Sequence, residues 1–513
     1  MPVDTERTLL IGFDGVPWDL LDAAIGAGAL PHVAEFLHGS FRGNLRSVEP
    51  AVTIPAWYSA MTGYSPATLD LWGFTAPTGR PGRFRPVETY RPREAVWDRL
   101  GRKGWRVGVV NFPALPAPPV HGYFLSGMLP ERRLATTHPP SLAQRLRSED
   151  GGWDLDLPEF GPGEYREAFD RASRSLGRKA QVVETLQGEF HPDLLFVLFS
   201  ETDRLQHDHW DRIVRFPQEG DPWIRRYWKA LDEAFHRVRT AFHEDGGGDP
   251  DGGMTWLLSD HGFGATEGYF FTNRFLQRKG YLHTRPTPIG TRLRPWTTDW
   301  LAKVDGVLPL RSPLAWSDHL RRAVFPRTEE RDGNALDQTF GWFSRFVDWD
   351  STRAFSFPVP EAIYANPFGR PVTRPERAKL KEELRRDLEG FTPARLEVVD
   401  PEELYGRPVS DTAPLLLLSS HGGAWEVRGD TNHAVEVLDR RPSYFQRQGT
   451  HRPVGILAVK GRGVPANDRP TPFRLLDVAP TLLALLGHRP EEALDGMPHP
   501  ALMKGRGPSP PPR

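Results

Sequence analysis

Short apolar runs that stop abruptly at a polar residue are the feature of this sequence that most restricts its fold. Uninterrupted apolar runs of five to seven residues suit strands that are buried on both faces, so these runs predict a mostly parallel sheet covered by helices. The runs are Thr8–Phe13 before Asp14, Trp105–Val110 before Asn111, Leu194–Ser200 before Glu201, Thr255–Ser259 before Asp260, and Val454–Val459, which follows His451.

Helical patterns lie elsewhere along the chain. Pro375–Phe391 repeats leucine at four-residue spacing among charged residues, and Asp477–Leu486 begins at an N-cap type of residue and stops before Gly487. Strands that alternate with helices predict an open α/β sheet. Ligands bind such sheets beyond the carboxyl ends of the strands, where the polar residues that follow the runs would gather.

The length of 513 residues predicts a large core with insertions, or two to three domains. Residues 271–404 are rich in Arg, Pro and Trp and interrupt the alternation, so we predict a cap or inserted region there. The discontinuous core would then comprise residues 1–270 and 405–503. Residues 504–513 contain no apolar side chain that could anchor them, which predicts a disordered tail.

Composition removes several classes of function. The chain has no cysteine, which excludes disulfides, thiolate metal sites and cysteine nucleophiles. Its formal net charge of -1 predicts no bulk attraction to a nucleic acid polymer or an anionic membrane. The first residues lack the pattern of a signal peptide and no apolar run is long enough to cross a bilayer, so we expect a cytoplasmic protein. The oligomeric state is left open.

Thr53 lies at the predicted start of a helix, in the segment VTIPAWYSAMTG. Threonine is a good N-cap and Pro55 suits the first turn, so a simple helix cap is one explanation. The other explanation is catalytic, because backbone N–H groups and the helix dipole favour a phosphate at this position. A neutral threonine is a poor nucleophile and would need a metal or a base to activate it.

The segment ETDRLQHDHW places Asp203 and His207 four residues apart, which puts both on one face of a helix. One metal ion can take both ligands at that spacing, although a surface pair would have the same spacing. His209 lies off this face, and Glu201 and Asp208 are weaker candidate ligands.

Four further candidates are Asp14 in IGFDG, Asp260 and His261 in SDHGFG, and His451 beside the last apolar run. Each residue alone is more often structural than catalytic. Together with Thr53, Asp203 and His207 they provide three Asp, three His and one Thr at the ends of strands. Such a set suits hard or borderline divalent ions and is too large for one tetrahedral ion, so it predicts two metal ions that clamp a reacting phosphate.

The sequence resembles the alkaline phosphatase superfamily, in its type I phosphodiesterase and nucleotide pyrophosphatase branch. The resemblance rests on motifs in the family's order, and the segment at 350–370 is similar to an insert of certain prokaryotic members. The motifs are LLIGFDG, TIPAWYSAMTG, TDRLQHDHW, SDHGFG, GTHRPVGILAVKG and DVAPTLLALLG. The implied fold is an alkaline phosphatase-like α/β core with an inserted cap region.

The resemblance also implies how the ligands divide. One metal would be held by Asp14, Thr53, Asp260 and His261, and the other by Asp203, His207 and His451. Zinc is the metal expected from this branch, with manganese as the alternative. Thr53 would attack phosphorus to form a phosphothreonine, which water at the other metal would hydrolyse.

The chain departs from the family pattern at the substrate. Leu69 and Asp70 stand where many relatives have His-Gly, and Phe74 stands near a position where nucleotide pyrophosphatases have an Asn that binds a phosphoryl oxygen. Asn111 and the backbone N–H of Ile54 are the candidate replacements. Aromatic residues near the nucleophile, Trp57 and Phe74 among them, are candidates to stack on a substrate, although such residues also pack cores. The sequence around Thr53 lacks the sulfatase pattern.

The leading hypothesis is therefore a two-metal hydrolase of small phosphate esters, of the phosphodiesterase or nucleotide pyrophosphatase type. A phosphomonoesterase or a phosphoryl-transfer enzyme on the same core is the alternative, and a non-catalytic binding protein with this fold is an alternative of a different class. We predict that diesters are cleaved better than monoesters, because Val52–Ser65 contains no Lys or Arg to offset the extra charge of a monoester.

Overall fold

The computed structural model describes residues 7–77, 84–86, 93–128, 136–146, 165–245, 253–285, 347–356, 361–368, 372–394, 396–420, 423–429, 435–438 and 447–503. The chain divides into two compact units. The first comprises Met1–Leu69, Tyr90–Gly264 and His451–Arg513, and the second comprises Asp70–Thr89 and Ala265–Thr450. The predicted tail at 504–513 lies outside the described residues.

The described strands belong to both units, and those of the first unit mostly alternate with helices, as the apolar runs predict. In chain order they are β1 (Thr8–Phe13), β2 (Phe41–Arg46), β3 (Thr75–Pro77), β4 (Phe84–Pro86), β5 (Val107–Pro113), β6 (Gly122–Gly127), β7 (Thr137–His138), β8 (Leu194–Phe199), β9 (Met254–Leu258), β10 (Gly262–Ala265), β11 (Gly268–Phe271), β12 (Ala354–Ser356), β13 (Ala362–Ala365), β14 (Leu396–Val399), β15 (Leu416–Ser420), β16 (Trp425–Arg428), β17 (Val437–Leu438), β18 (Gly449–Arg452), β19 (Val454–Lys460) and β20 (Thr471–Arg474).

The helices range from single turns to seven turns. They are α1 (Trp18–Gly26), α2 (Pro31–Leu37), α3 (Thr53–Thr62), α4 (Pro66–Leu69), α5 (Val96–Gly101), α6 (Leu142–Arg145), α7 (Tyr165–Phe190), α8 (Glu201–Ile213), α9 (Phe216–Glu219), α10 (Pro222–His243), α11 (Thr272–Arg278), α12 (Arg374–Glu389), α13 (Pro401–Tyr405), α14 (Val478–Leu485) and α15 (Pro500–Met503).

Nine of the described strands form the central sheet of the first unit, in the order β20-β2-β19-β9-β1-β8-β5-β6-β7. The strands β9, β1, β8, β5 and β6 run parallel to their neighbours in that row. Every residue of β1, β8 and β9 is buried, as expected for strands covered on both faces. The prediction of a mostly parallel sheet is confirmed, with β19 as an exception because it lies antiparallel between β2 and β9.

Helices cover this sheet through amphipathic faces. The two longest, α7 and α10, pack on each other, and they also contact β5 and β1 respectively. The predicted end of the helix near the C-terminus is confirmed, because Gly487 follows α14 with a positive φ of 73°. Asp477 precedes α14 but does not cap it, since its carboxylate binds the guanidinium of Arg474 and the backbone N–H of Met497.

The second unit is wider than the predicted cap at 271–404. Its four-stranded antiparallel sheet has the order β12-β13-β15-β14, and its three-stranded sheet has the order β16-β11-β17. Ile363 of β13 pairs with Leu416 of β15, and Phe270 of β11 pairs with Val427 of β16. These pairings bring the segment after residue 404 into the second unit, and only the tertiary structure reveals them. The three leucines of α12 are buried as their spacing predicts.

In the part of the chain that the structure describes, no single helix is long and apolar enough to cross a membrane, although the bent pair α1 and α2 meets that test when the two are taken together.

Candidate metal centre

The seven predicted metal ligands, one of which is the predicted nucleophile Thr53, lie together at one edge of the central sheet. Asp14 follows β1, Asp260 and His261 follow β9, and α8 begins directly after β8. Because these three strands are adjacent and parallel, their carboxyl ends present these residues at the same edge. Thr53 is the first residue of α3, and His451 lies in β18 just before β19.

One group of side chains surrounds the imidazole of His261. Its Nε2 atom lies 3.2 Å from Oδ2 of Asp260, 3.7 Å from Oδ1 of Asp14 and 3.5 Å from Oγ1 of Thr53. All four side chains are almost fully buried. These residues are the ones that the family resemblance assigns to a single metal ion.

A second group surrounds Asp203. Its Oδ1 atom lies 3.2 Å from Nε2 of His451 and 3.6 Å from Nε2 of His207, and the two imidazole nitrogens are 3.0 Å apart. Donor atoms of these three residues all lie within 4.8 Å of one another. The same holds for Asp14, Asp203 and His261, and the rings of His261 and His451 stack at 3.8 Å, so Asp203 lies between the two groups.

Each carboxylate of the first group has one oxygen that accepts a hydrogen bond from the protein and one oxygen that accepts none among the described residues. The indole Nε1–H of Trp57 donates to Oδ2 of Asp14 at 3.1 Å, and the backbone N–H of Gly15 donates to Oδ1 of Asp260 at 3.2 Å. The other oxygens of these two aspartates, together with Oδ1 of Asp203, are buried and accept no hydrogen bond in the described structure. Such partners orient metal ligands in proteins.

Two of the histidines have their tautomer fixed by backbone carbonyls. Nδ1 of His451 lies 2.9 Å from the carbonyl oxygen of Ala51, and Nδ1 of His261 lies 3.1 Å from that of Gly262. A carbonyl can only accept, so Nδ1 carries the proton in each ring and the neutral Nε2 presents a lone pair to the centre. This is the arrangement that a histidine metal ligand requires.

The charges of the centre are unbalanced without a cation. Burial raises the pKa of Asp260 to about 7, with a further contribution from the charge of Asp203, and it raises the pKa of Asp14 as well. Burial also lowers the pKa of His261 to about 3, so this ring is neutral at pH 7. For Asp203, burial alone would raise the pKa, but the neighbouring histidines hold it well below its usual range.

The donor atoms of the centre fit metal ions. With the Nδ1 proton in place, His261 Nε2 presents a lone pair to carboxyl oxygens of Asp14 and Asp260, so only a proton on a carboxyl group or a cation can bridge these contacts. A cation would bridge them while both buried carboxylates stay charged, which is the form that binds a metal. Three Asp and three His ligands in two groups fit divalent ions that accept nitrogen and oxygen.

The hydroxyl of Thr53 does not serve as a helix cap. The helix α3 begins at Thr53 itself, Val52 occupies the N-cap position, and no side chain caps the first turn. The hydroxyl faces His261 instead, so the structural explanation that the sequence allowed for this threonine is wrong.

The predicted substrate contacts fall in different places. Asn111 lies in a bulge of β5 with φ of 66°, and its amide donates to the carbonyl of Leu198 and the hydroxyl of Ser200. Both of its N–H groups are therefore used within the protein. Trp57 is fully buried, and its indole binds Asp14. Phe74 belongs to the second unit, just before β3.

The geometry therefore favours a structural role for Asn111 and a ligand-orienting role for Trp57, and the substrate contacts of all three residues stay predictions. Glu201, a weaker candidate ligand, binds Nζ of Lys179 at 2.6 Å and belongs to neither group of clustered donors. Asp208 also lies outside both groups.

Sequence reasoning missed the groups that orient the ligands, namely the indole of Trp57, the N–H of Gly15 and the carbonyl of Ala51. Backbone groups carry no sequence signal. Gly15 is the one sequence signal among them. It has a positive φ of 69°, and a Cβ atom at this position would lie 3.2 Å from Oδ1 of Asp203, so the turn favours glycine.

The chain is similar to several solved structures. A murine ectonucleotide pyrophosphatase/phosphodiesterase 5, an inactive form in complex with AMP, is 12% identical with a TM-score of 0.49, covering 94% of this chain and 96% of that chain. Wild-type alkaline phosphatase PafA is 13% identical with a TM-score of 0.53, covering 98% of this chain and 100% of that chain, so this chain has the alkaline phosphatase-like fold. No curated protein matches the chain.

The family signal comes from the sequence profile described as type I phosphodiesterase/nucleotide pyrophosphatase, which matches residues 8–323. The matched segment is more than half of the 513 residues and contains every clustered residue except His451. This protein accordingly belongs to the type I phosphodiesterase/nucleotide pyrophosphatase family, a family of phosphoester hydrolases.

Proposed function

We propose that this protein hydrolyses diesters of phosphoric acid, with Thr53 as the nucleophile and two divalent metal ions as cofactors. The observation that carries the proposal is the position of the Thr53 hydroxyl. It is buried, it is not used as a cap, and it lies 3.5 Å from Nε2 of His261, in a centre where one oxygen each of Asp14, Asp203 and Asp260 accepts no hydrogen bond in the described structure.

Asp14, Asp260 and His261 would hold one ion together with Thr53, and Asp203, His207 and His451 would hold the other. Nitrogen and oxygen donors in this number suit zinc, with manganese as the alternative. When bound, such ions lower the pKa of a coordinated hydroxyl and neutralise charge on phosphoryl oxygens.

The residues of the chain supply the rest of the reaction. The Thr53 hydroxyl gives up its proton as Oγ1 attacks phosphorus, the bond from phosphorus to the leaving oxygen breaks, and the leaving oxygen takes up a proton so that an alcohol departs. Water then attacks the phosphothreonine, the bond between phosphorus and Oγ1 breaks, and a phosphomonoester leaves as the hydroxyl regains its proton.

The first turn of α3 supports this chemistry. The first N–H groups of an α-helix have no partner within the helix, and they point toward the end at which Thr53 lies. The positive end of the helix dipole therefore faces the position at which negative charge develops on the transferred phosphoryl group.

Diesters fit the local charge better than monoesters. Val52–Ser65 contains no Lys or Arg. Arg46 lies 3.9 Å from Glu49, with 64% of its side chain exposed, and Arg452 donates to the carbonyl of His451. A monoester dianion would therefore find no cation within the segment Val52–Ser65 for its additional charge. We expect a higher kcat/KM for bis-nitrophenyl phosphate than for nitrophenyl phosphate, and a tenfold preference for the monoester, worth about 1.4 kcal/mol, would contradict the diester assignment.

The nucleophile is tested with variants of the two threonines of α3. Thr53→Ala should lose turnover while keeping its fold, and Thr53→Ser should keep part of the activity because it retains a hydroxyl. Thr62→Ala is the matched control, since Thr62 is also buried in α3 and its hydroxyl bonds only backbone groups, donating to the carbonyl of Tyr58 and accepting from the N–H of Tyr64, in the described structure. Mass spectrometry after acid quenching should find a phosphorylated peptide that contains Thr53. Wild-type activity in Thr53→Ala would exclude the nucleophile.

A further inference from the structure

The helix α8 carries two pairs of polar residues at the same four-residue spacing. Asp203 and His207 belong to the metal centre. Thr202 and Gln206 precede them by one position each, so they point about 100° away around the helix. Both are buried, with 1% and 2% of their surfaces exposed, although neither is a predicted metal ligand.

This second pair binds the turn that follows β1. The hydroxyl of Thr202 donates to the carbonyl of Asp14 at 2.5 Å, and the amide of Gln206 donates to the carbonyl of Gly15 at 3.1 Å and to that of Thr202 at 3.0 Å. Both partners of the Gln206 amide nitrogen are carbonyl oxygens, which settles the orientation of the amide group.

The turn approaches α8 closely at this point. A Cβ atom at Gly15 would lie 3.2 Å from Oδ1 of Asp203. The turn supplies Asp14 to one group of ligands, and α8 supplies Asp203 and His207 to the other. The hydrogen bonds from Thr202 and Gln206 therefore join the backbone of one ligand group to the helix that carries the other.

We propose that Gln206 is a positioning residue that fixes the separation of the two ligand groups through its bond to the carbonyl of Gly15. This inference rests on the proposed function, because it assumes that both groups bind metal. Without the bond, the carbonyl of Gly15 loses its donor in a buried site and the turn can move relative to α8. Loss of a hydrogen-bonding partner behind a metal ligand typically weakens metal binding by about 10- to 100-fold.

Gln187 provides a matched control within the same protein. It is also a buried glutamine with 2% of its surface exposed, and its amide donates to Oδ2 of Asp245 at 2.8 Å. It lies in α7, and neither it nor Asp245 belongs to a group of clustered metal ligands. Gln187→Met and Gln206→Met both remove a buried amide group, but only Gln206→Met removes the hydrogen bond to the carbonyl of Gly15. A difference between the two variants is therefore due to that bond.

The experiment measures zinc binding to the full-length protein after chelation, by competition with a chromophoric chelator, with thermal unfolding of the metal-free forms in parallel. We expect Gln206→Met to bind zinc about 10- to 100-fold more weakly than the wild type and Gln187→Met to bind it as the wild type does. Equal zinc affinity in the wild type and Gln206→Met, even with a lower melting temperature, would mean that Gln206 is merely structural and would overturn the inference.

Two further outcomes are distinguishable. A wild type that binds no zinc would overturn the proposed metal centre itself, whereas two bound equivalents with unchanged affinity in the variant would overturn only the positioning role. If Gln206→Met does not fold, Thr202→Val tests the neighbouring bond to Asp14, and Thr202→Ser should restore zinc affinity because it keeps the hydroxyl. Wild-type affinity in Thr202→Val would contradict the coupling of the turn to α8.

Discussion

Replacing Trp57 by phenylalanine should weaken metal binding without removing a metal ligand. The indole N–H of Trp57 donates to Oδ2 of Asp14 at 3.1 Å in a fully buried site. Burial and the charge of Asp260 raise the pKa of Asp14, and this hydrogen bond opposes them by stabilising the charged carboxylate. Phenylalanine keeps an aromatic ring in the core but cannot donate the bond.

The magnitude follows from the kind of hydrogen bond that is lost. A bond to a charged group contributes about 1.5–3 kcal/mol, and partners behind metal ligands change metal affinity by about 10- to 100-fold. We therefore expect zinc affinity to fall by one to two orders of magnitude, and kcat/KM at limiting zinc to fall with it. Saturating zinc should restore a large part of the activity, because every ligand and the nucleophile remain.

Trp97→Phe is the control for this prediction. Trp97 is also buried, packs against Phe112 at 4.8 Å, and its indole nitrogen has no hydrogen-bond partner in the described structure. The two substitutions remove the same atoms, but only one removes a hydrogen bond. Zinc titrations that give equal affinities for the two variants would refute the reasoning, since the loss of packing alone would then explain the result.

Three other outcomes follow from the same structure. Asp203→Ala and His451→Ala should each bind about one equivalent of metal fewer than the wild type by elemental analysis, and two full equivalents in either variant would contradict the grouping. Gly15→Ala should lose metal and activity together, because a Cβ atom would crowd Asp203 at a positive φ, so an active, fully loaded variant would argue against that crowding. Lys179→Met should lower the free energy of unfolding by about 3–5 kcal/mol, because Glu201 would keep a buried charge without its cation. A decrease of less than about 1 kcal/mol in chemical denaturation would show that this ion pair contributes little to stability.

The parts of the fold that local sequence determines were predictable. Thr8–Phe13 has the same bounds in the sequence and the structure, because a strand buried on both faces needs an unbroken apolar run. Pro375–Phe391 became α12 within two residues at each end, because its leucine spacing matches a helical face. Asp203 and His207 share a face of α8 for the same reason.

The parts that depend on distant pairing were not predictable. Nothing near residue 405 in the sequence indicates that β15 pairs with β13, so the predicted cap ended too early. The contact of His451 with the carbonyl of Ala51 joins residues 400 positions apart, and backbone groups look alike at every position. The sequence predicts that the aromatic ring of Trp57 stacks on a substrate, whereas in the structure its indole nitrogen donates a hydrogen bond to Asp14 of the metal centre.

The position of β19 in the sheet has a consequence for biosynthesis. Because it lies between β2 and β9, neither of those strands has its neighbour on that side until Val454–Lys460 has been synthesised. Strands β1, β8, β5 and β9 can pair earlier, while the second unit is complete by residue 450. During that interval the nascent chain presents open strand edges, which promote aggregation. The last ligand, His451, emerges just ahead of β19, so the nascent protein gains its complete ligand set and the strand that joins β2 to β9 at nearly the same point of synthesis.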